Sequence, residues 1–146
     1  MKKISIILMC VATLAFASCS ALSNAASNDA TATATGRSCA TSLISLYQSY
    51  KSVGKIDLTN PLNLSNALVV ASAYTQLKQN KGNESYRKAF TSGLISAGAG
   101  VITNSNADAI TTALSNSTGL TNLNAQNANQ SAQSASSILS LMKAMK

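Results

Sequence analysis

The stretch that decides the fold class is residues 59–82, TNPLNLSNALVVASAYTQLKQNKG. It opens with Thr59, Asn60 and Pro61, a capping residue followed by proline at the first helical position, and it closes with a glycine. Apolar residues between these signals recur at intervals of three and four, which is typical of an amphipathic helix. The expected buried side of this helix carries Leu64, Leu68, Ala71 and either Leu77 or Thr75.

The same spacing predicts helices on both sides of this stretch. A helix over residues 39–53 ends at Gly54, and its expected buried stripe holds Ala40, Leu43, Tyr47, Tyr50 and either Leu46 or Val53. A third helix opens at the capping residue Asn83 and carries Tyr86, Phe90, Leu94, Ala97 and Val101 on one face. Its second half, GLISAGAGVI over residues 93–102, is apolar all round, so we expect it in the middle of the bundle.

Two shorter helices are expected after this segment. Ser105 followed by Asp108 predicts a capping box for a fourth helix that ends near Gly119. A polar stretch over residues 121–133 then leads into a final helix with Ala128, Ala135, Ile138, Leu139 and Met142. Strand-like runs at residues 68–70 and 101–103 lie inside helical patterns. The sequence therefore predicts an all-α bundle of four to five helices, in one domain over residues 38–146.

The N-terminus reads as an export signal. Lys2 and Lys3 precede an apolar run over residues 4–16, which is too short to span a membrane because a spanning helix needs about 20 residues. Ala15 and Ala17 fit the A-x-A rule of ordinary secretion, with cleavage before Ser18. In that case Cys19 stays free, and a disulfide between Cys19 and Cys39 remains open.

The alternative cleavage site ends in a cysteine. Phe16, Ala17, Ser18 and Cys19 resemble the lipobox of bacterial lipoprotein precursors, although that family most often has Leu where this chain has Phe16. The resemblance implies that residues 1–18 are a signal peptide and that Cys19 becomes the first mature residue, carrying diacylglyceryl and palmitate-type acyl chains. In such lipoproteins an aspartate directly after the cysteine commonly marks retention on the inner membrane. This chain has Ser20 there, so the resemblance implies the outer membrane, with the protein facing the periplasm.

The residues after Cys19 read as a spacer. Residues 20–36, SALSNAASNDATATATG, are small and mostly polar, so they predict little burial of apolar surface. We therefore expect the lipidated N-terminus and a flexible, disordered tether to occupy residues 19–37.

The charge balance is basic but dispersed. The chain has a net charge of +7, and removal of the leader leaves nine basic and four acidic residues, or +5. There is no dense basic run and little aromatic interleaving, so we expect no nucleic-acid partner. A basic surface of this kind suits anionic headgroups or an acidic envelope polymer.

Catalytic patterns are weak. The chain has no histidine, so Cys39 has no partner base, and we expect it to pack as a small apolar residue rather than react at a helix start. Gly98 and Gly100 lack the third glycine of a dinucleotide fingerprint. The acids stand apart, with no metal-ligand spacing. We expect no enzyme activity, no catalytic residue, no metal and no cofactor.

Two functions remain open from sequence alone. The first is a lipid-anchored binding or structural module of the cell envelope, attached to the membrane through Cys19, with an envelope protein or peptidoglycan as partner. The second is a secreted, membrane-active protein, resembling a toxin or bacteriocin, that inserts residues 90–102 into a bilayer. If the module has a groove, the candidate contact residues are Tyr47, Tyr50, Tyr74 and Tyr86, although aromatic core packing is the commoner use.

Overall fold

The computed structural model describes residues 29–121, 123 and 131–145, and these form an all-α bundle. No strand is present among the described residues, which contain one isolated bridge between Ala99 and Ile102. The helices are α1 (Asp29–Val53), α2 (Pro61–Gln79), α3 (Glu84–Ser96), α4 (Ala107–Ser115) and α5 (Ser131–Ala144), with a 3₁₀ turn at Thr118–Leu120. The predicted fold class, a small bundle of four to five helices, is confirmed.

Helix α1 begins earlier than expected. The tether was predicted to extend to residue 37, but the chain is helical from Asp29, and Ala32 and Gly36 are buried. The threonine hydroxyls of this segment bond back to carbonyls one turn earlier, as Thr33 does to Asp29 O at 2.8 Å. Its small side chains therefore serve close packing rather than flexibility. The helical domain starts at residue 29 instead of 38, and residues 1–28 lie outside the described part of the chain.

Helices α1 and α3 run parallel and touch backbone to backbone. A Cβ atom at Gly36 would overlap the carbonyl oxygen of Phe90, and one at Gly93 would overlap the carbonyl oxygen of Thr33. The Thr33 hydroxyl also donates to Ala89 O at 3.3 Å across this contact. This contact therefore needs a glycine on each helix, Gly36 on α1 and Gly93 on α3.

Helix α2 runs antiparallel to α1 and has the predicted start. Asn60 Oδ1 accepts hydrogen bonds from Leu62 N at 2.9 Å and Asn63 N at 3.3 Å. Of its expected buried residues, Ala71 and Leu77 are buried and Thr75 is exposed, whereas Leu64 and Leu68 are half-buried because the neighbouring stripe faces the core. That stripe holds Asn63, Ala67, Val70, Ala71, Ala73, Tyr74 and Leu77. In α1, Leu46 is buried and Val53 is 61% exposed, which decides between the two residues left open above.

Helix α3 ends at Ser96, so the apolar segment 93–102 is not one helix. Ala99 and Gly100 have positive φ angles of 46° and 78°, and Val101 N bonds to Gly98 O at 2.8 Å in a tight turn. The turn sends Ile102 into the core, where it is buried.

The prediction of a continuous apolar helix was wrong because Gly98 and Gly100 permit this reversal. A Cβ atom at Gly98 would overlap Ile102, and Gly100 has a positive φ angle. No helix among the described residues combines the length and the apolarity that crossing a membrane requires.

Helices α4 and α5 complete the bundle. The predicted capping box at Ser105 and Asp108 does not form, because α4 begins after Asn106 and has no side-chain cap bond. Asn106 instead accepts from Thr103 N at 2.8 Å and donates to Val101 O at 2.9 Å and Met145 O at 3.2 Å. Gly119 lies in the 3₁₀ turn, beyond the end of α4. Of the residues predicted for the last helix, Ile138 and Met142 are buried, and Ala128 lies outside the described residues.

The helix directions give the bundle two distinct ends. The proximal end contains Asp29 at the start of α1 and Gly82 and Glu84 at the turn from α2 into α3. The distal end contains Gly54 and Pro61, at the connection from α1 to α2. Helix α1 has 25 residues, so the two ends are about 37 Å apart along its axis.

Candidate functional site

A cleft of about 490 Å³ opens at the proximal end of the bundle. The end of α2, the start of α3 and the end of α4 form its walls. Three cationic side chains line it, those of Lys78, Lys81 and Arg87, together with one acidic residue, Glu84. We call this feature the basic cleft, and it is the strongest candidate for a binding site in the described part of the chain.

Neutral groups hold two of the three cations in place. The Lys78 ammonium lies 5.6 Å from the centre of the Tyr74 ring, and the Tyr74 hydroxyl is hydrogen bonded to Thr121. The Arg87 guanidinium donates to Thr112 Oγ1 at 2.6 Å, which links α3 to α4. A ring face and a hydroxyl order a cation without neutralising its charge. These side chains therefore retain their charge for an anionic partner.

The acidic residue of the cleft is already paired. Glu84 Oε1 lies 2.8 Å from Lys88 Nζ, the one ion pair among the described residues. The hydrogen bond from Lys88, with the charge of that ammonium, lowers the pKa of Glu84 and keeps it ionised near neutral pH. Glu84 thus offsets the charge of Lys88, and Lys78, Lys81 and Arg87 are left without an acidic partner in the described structure.

The cleft lies beside the start of the described chain. The Ser85 hydroxyl donates to Asp29 Oδ1 at 2.9 Å, which joins the first turn of α3 to the first residue of α1. Glu84, the residue before Ser85, lines the cleft. The segment that precedes Asp29 therefore enters the bundle at the end that carries the basic cleft.

Comparisons of this chain with protein-family models, with curated proteins and with solved structures found no match.

Of the two cysteines that follow the predicted leader, the structure describes Cys39. Cys19, the predicted lipidation residue, lies outside the described residues. Cys39 is fully buried in the middle of α1, so the expectation that it starts a helix was wrong. Burial raises the pKa of the Cys39 thiol to about 12. A buried, protonated thiol is a poor nucleophile, which agrees with the prediction that Cys39 packs as an apolar residue.

The four tyrosines do not form a groove. Tyr74 and Tyr86 are buried in the core, and Tyr47 and Tyr50 are half-buried against it. The Tyr86 hydroxyl has no hydrogen-bond partner within bonding geometry, and burial raises the pKa of Tyr86. Of the four residues, Tyr74 alone borders the basic cleft, where its ring supports Lys78.

The remaining candidates stay dispersed. Glu84 starts α3 at the proximal end, whereas Asp57 lies in the distal connection and Asp108 lies in the first turn of α4. No three of the cysteine, aspartate and glutamate residues in the described structure are grouped as metal ligands. Gly98 and Gly100 belong to the turn after α3, and a Cβ atom at Gly98 would overlap Ile102.

The sequence analysis missed the basic cleft. It treated the charges as dispersed, yet four basic residues fall between positions 78 and 88, on both sides of a helix break. The break at Gly82, with φ of 95°, folds α3 back so that Lys78 and Arg87 border one cleft. The usable signal was this cluster of basic residues around a capped turn.

Proposed function

We propose that this protein is a lipid-anchored component of the bacterial cell envelope, attached through Cys19, whose helical domain is a non-enzymatic binding module. The observation that carries the proposal is the lipobox-like sequence Phe16-Ala17-Ser18-Cys19. Its cysteine lies ten residues before Asp29, where the first described helix begins. Two or more acyl chains on one cysteine hold a protein on a membrane far more firmly than a single chain does. The proposed location is the outer membrane, on its periplasmic side.

The chemistry of the described domain supports a binding role. Its thiol is buried, its acidic residues are dispersed, and its one cationic cluster borders an open cleft. Such a cleft can hold an anionic ligand or partner. We propose the basic cleft as the contact surface of the module.

The membrane-active alternative has less support. In that alternative residues 90–102 insert into a bilayer, whereas α3 ends at Ser96 and a tight turn follows. Phe90, Leu94 and Ile102 are core residues, so their exposure would disrupt the bundle.

Intact mass of the mature protein, recovered separately from membranes and from medium, tests the proposal. We expect a chain that begins at Cys19 and carries two or three acyl chains in the membrane fraction. A Cys19→Ala variant should lose both the added mass and the membrane residence. Cys10→Ser is the matched control, because residue 10 lies in the predicted leader, and it should leave both unchanged. An unmodified chain that begins at Ser18 in the medium would refute the anchor.

A further inference from the structure

We propose that the basic cleft binds the anionic phospholipid headgroups of the membrane in which Cys19 is anchored. This inference rests on the proposed function, since the anchor is what brings the cleft to a membrane surface. It adds a second, electrostatic attachment that orients the bundle with its proximal end toward the lipid.

The first argument is the length of chain between the anchor and the fold. Ten residues, from position 19 to position 28, precede Asp29, and a chain of this length spans at most about 35 Å. The hydrogen bond between Ser85 and Asp29 places the cleft at the end where this segment joins the bundle. The distal end lies a further 37 Å or so along α1, so the proximal end is the one that the anchor holds near the headgroups.

The second argument is the charge at this end. Lys78, Lys81 and Arg87 share the cleft, and no carboxylate pairs with them in the described structure. A positive patch is attracted to anionic lipid within a screening distance of about 8 Å at physiological salt. Each lysine or arginine at such a surface strengthens binding about fivefold.

The third argument is the contrast with the distal end. There the carboxylate of Asp57 is an acidic neighbour of Lys55, and its pKa is lowered mainly by the hydrogen bond from Thr59 and in smaller part by Lys55. The exposed apolar side chains Val53 and Leu62 also lie at that end. Lys51, in the last turn of α1, and Lys55 also lie at that end, but neither lines the basic cleft, in which three cations share one concave surface.

The cleft also has a suitable size and chemistry. Its volume of about 490 Å³ is within the range of about 300–1,000 Å³ typical of small-ligand sites. The Arg87 guanidinium donates one hydrogen bond to Thr112, and its other N–H groups can donate to phosphate oxygens. Lys81 is exposed at the rim and adds a flexible point charge.

Hydrogen–deuterium exchange on the membrane-purified protein tests the inference. The protein is placed in nanodiscs of phosphatidylcholine alone or of phosphatidylcholine with phosphatidylglycerol. We expect amides of residues 78–87 to exchange about tenfold more slowly with phosphatidylglycerol, at a headgroup concentration ten times the Kd. Amides of residues 50–58, at the distal end, should exchange at the same rate in both lipids.

Paired charge variants provide the control. The double variant Lys78→Gln with Lys81→Gln is expected to raise about 25-fold the phosphatidylglycerol concentration that gives half of the full protection at residues 78–87. Lys55→Gln with Lys143→Gln removes the same charge from exposed positions outside the cleft and should leave the protection unchanged. Equal loss of protection in both pairs, or no protection with phosphatidylglycerol in the parent protein, would overturn the inference.

A further arm identifies the source of the phosphate. Inorganic phosphate is added to the protein in a neutral detergent, with chloride at matched ionic strength as the reference. If phosphate slows amide exchange at residues 78–87 only slightly, binding of the cleft at the lipid surface is supported. Slowing as large as that in phosphatidylglycerol nanodiscs would overturn headgroup docking and assign the cleft to a soluble phosphate.

Intact mass of the same samples separates the two proposals. If Cys19 carries no lipid, the anchor is refuted, and phosphatidylglycerol vesicles replace the nanodiscs. Protection of residues 78–87 by these vesicles would still support headgroup binding in the cleft. If Cys19 is acylated and exchange at the cleft does not respond to phosphatidylglycerol, the anchor is supported and the cleft inference is refuted.

Discussion

The interface between α1 and α3 and the region around α5 are both buried, but opposite kinds of residue build them. In the first, Gly36 and Gly93 let two helix backbones touch, and α1 packs more extensively against α3 than against any other helix. In the second, large side chains such as Ile138 and Leu141 fill the space against α4 and the 3₁₀ turn. The first interface is sensitive to added atoms, and the second to removed atoms.

The largest expected effect comes from adding atoms to the first interface. Gly36→Val should destabilise the fold by about 4 kcal/mol or more, because backbone atoms of Phe90 and Leu94 would have to move. Urea unfolding followed by circular dichroism measures this loss. Ala34→Val is the matched control, since residue 34 lies on the exposed side of the same helix and should cost only about 0.5 kcal/mol. Similar losses in the two variants would contradict the close contact.

Removing atoms from the second region should cost somewhat less. Leu141 is fully buried, so Leu141→Ala should destabilise the fold by about 3 kcal/mol through the cavity it leaves. The same urea titration applies. Leu62 is 66% exposed, so Leu62→Ala should change the free energy of unfolding by less than about 0.5 kcal/mol. A loss below 1 kcal/mol for Leu141→Ala would show that α5 is not firmly packed.

The thiol of Cys39 reports how dry the core side of α1 is. Burial raises its pKa from 9.0 to about 12, so above pH 9 the unfolded chain loses this proton before the folded chain does. Stability should be unaffected by this group below pH 9 and fall by about 1.4 kcal/mol per pH unit above it, or about 2 kcal/mol by pH 10.5.

Reducing urea titrations at pH 8 to 10.5 measure this dependence against Cys39→Ala. The free energy of unfolding of the variant is subtracted from that of the parent at each pH, which cancels the contributions of the groups that both chains share. Parallel pH dependences in the two chains would mean that water reaches the thiol.

The smallest predicted effect concerns Asn106, whose side chain connects the start of α4 to the end of α5. Asn106→Ala should destabilise the fold by about 1.5 kcal/mol, because its side chain bonds to Thr103 N, Val101 O and Met145 O. Ser105→Ala is the control, because the structure makes no cap bond there, and it should change stability by less than about 0.5 kcal/mol. A larger loss of stability for Ser105→Ala than for Asn106→Ala would indicate that the predicted capping box forms.

Local signals in the sequence predicted the starts of α2 and α3 and the glycine turns that follow α1 and α2. Asn60, Pro61 and Asn83 start α2 and α3 as expected, and Gly54 and Gly82 adopt positive φ angles of 77° and 95°. Such signals act within a few residues, so they depend little on the rest of the fold.

Features that depend on distant partners were missed. The small residues before Gly36 read as a tether, because their value for packing appears only when Gly93 lies opposite. The buried side of α2 was misplaced by part of a turn, since the choice between Leu68 and Val70 depends on where α1 and α4 lie. The basic cleft was missed for the same reason, as it needs the ends of α2 and α4 to meet the start of α3.

The parallel pairing of α1 with α3 has a consequence for how long the folded state lasts. The Thr33–Ala89 hydrogen bond joins residues 56 positions apart, whereas α1 and α2 are joined by the short connection over residues 54–60. Closing the longer loop costs about 2 kcal/mol more in chain entropy, so we expect the α1–α2 hairpin to form first and α3 to dock late. Contacts made after the transition state slow unfolding rather than speed folding. The two glycines would then set the lifetime of the native state.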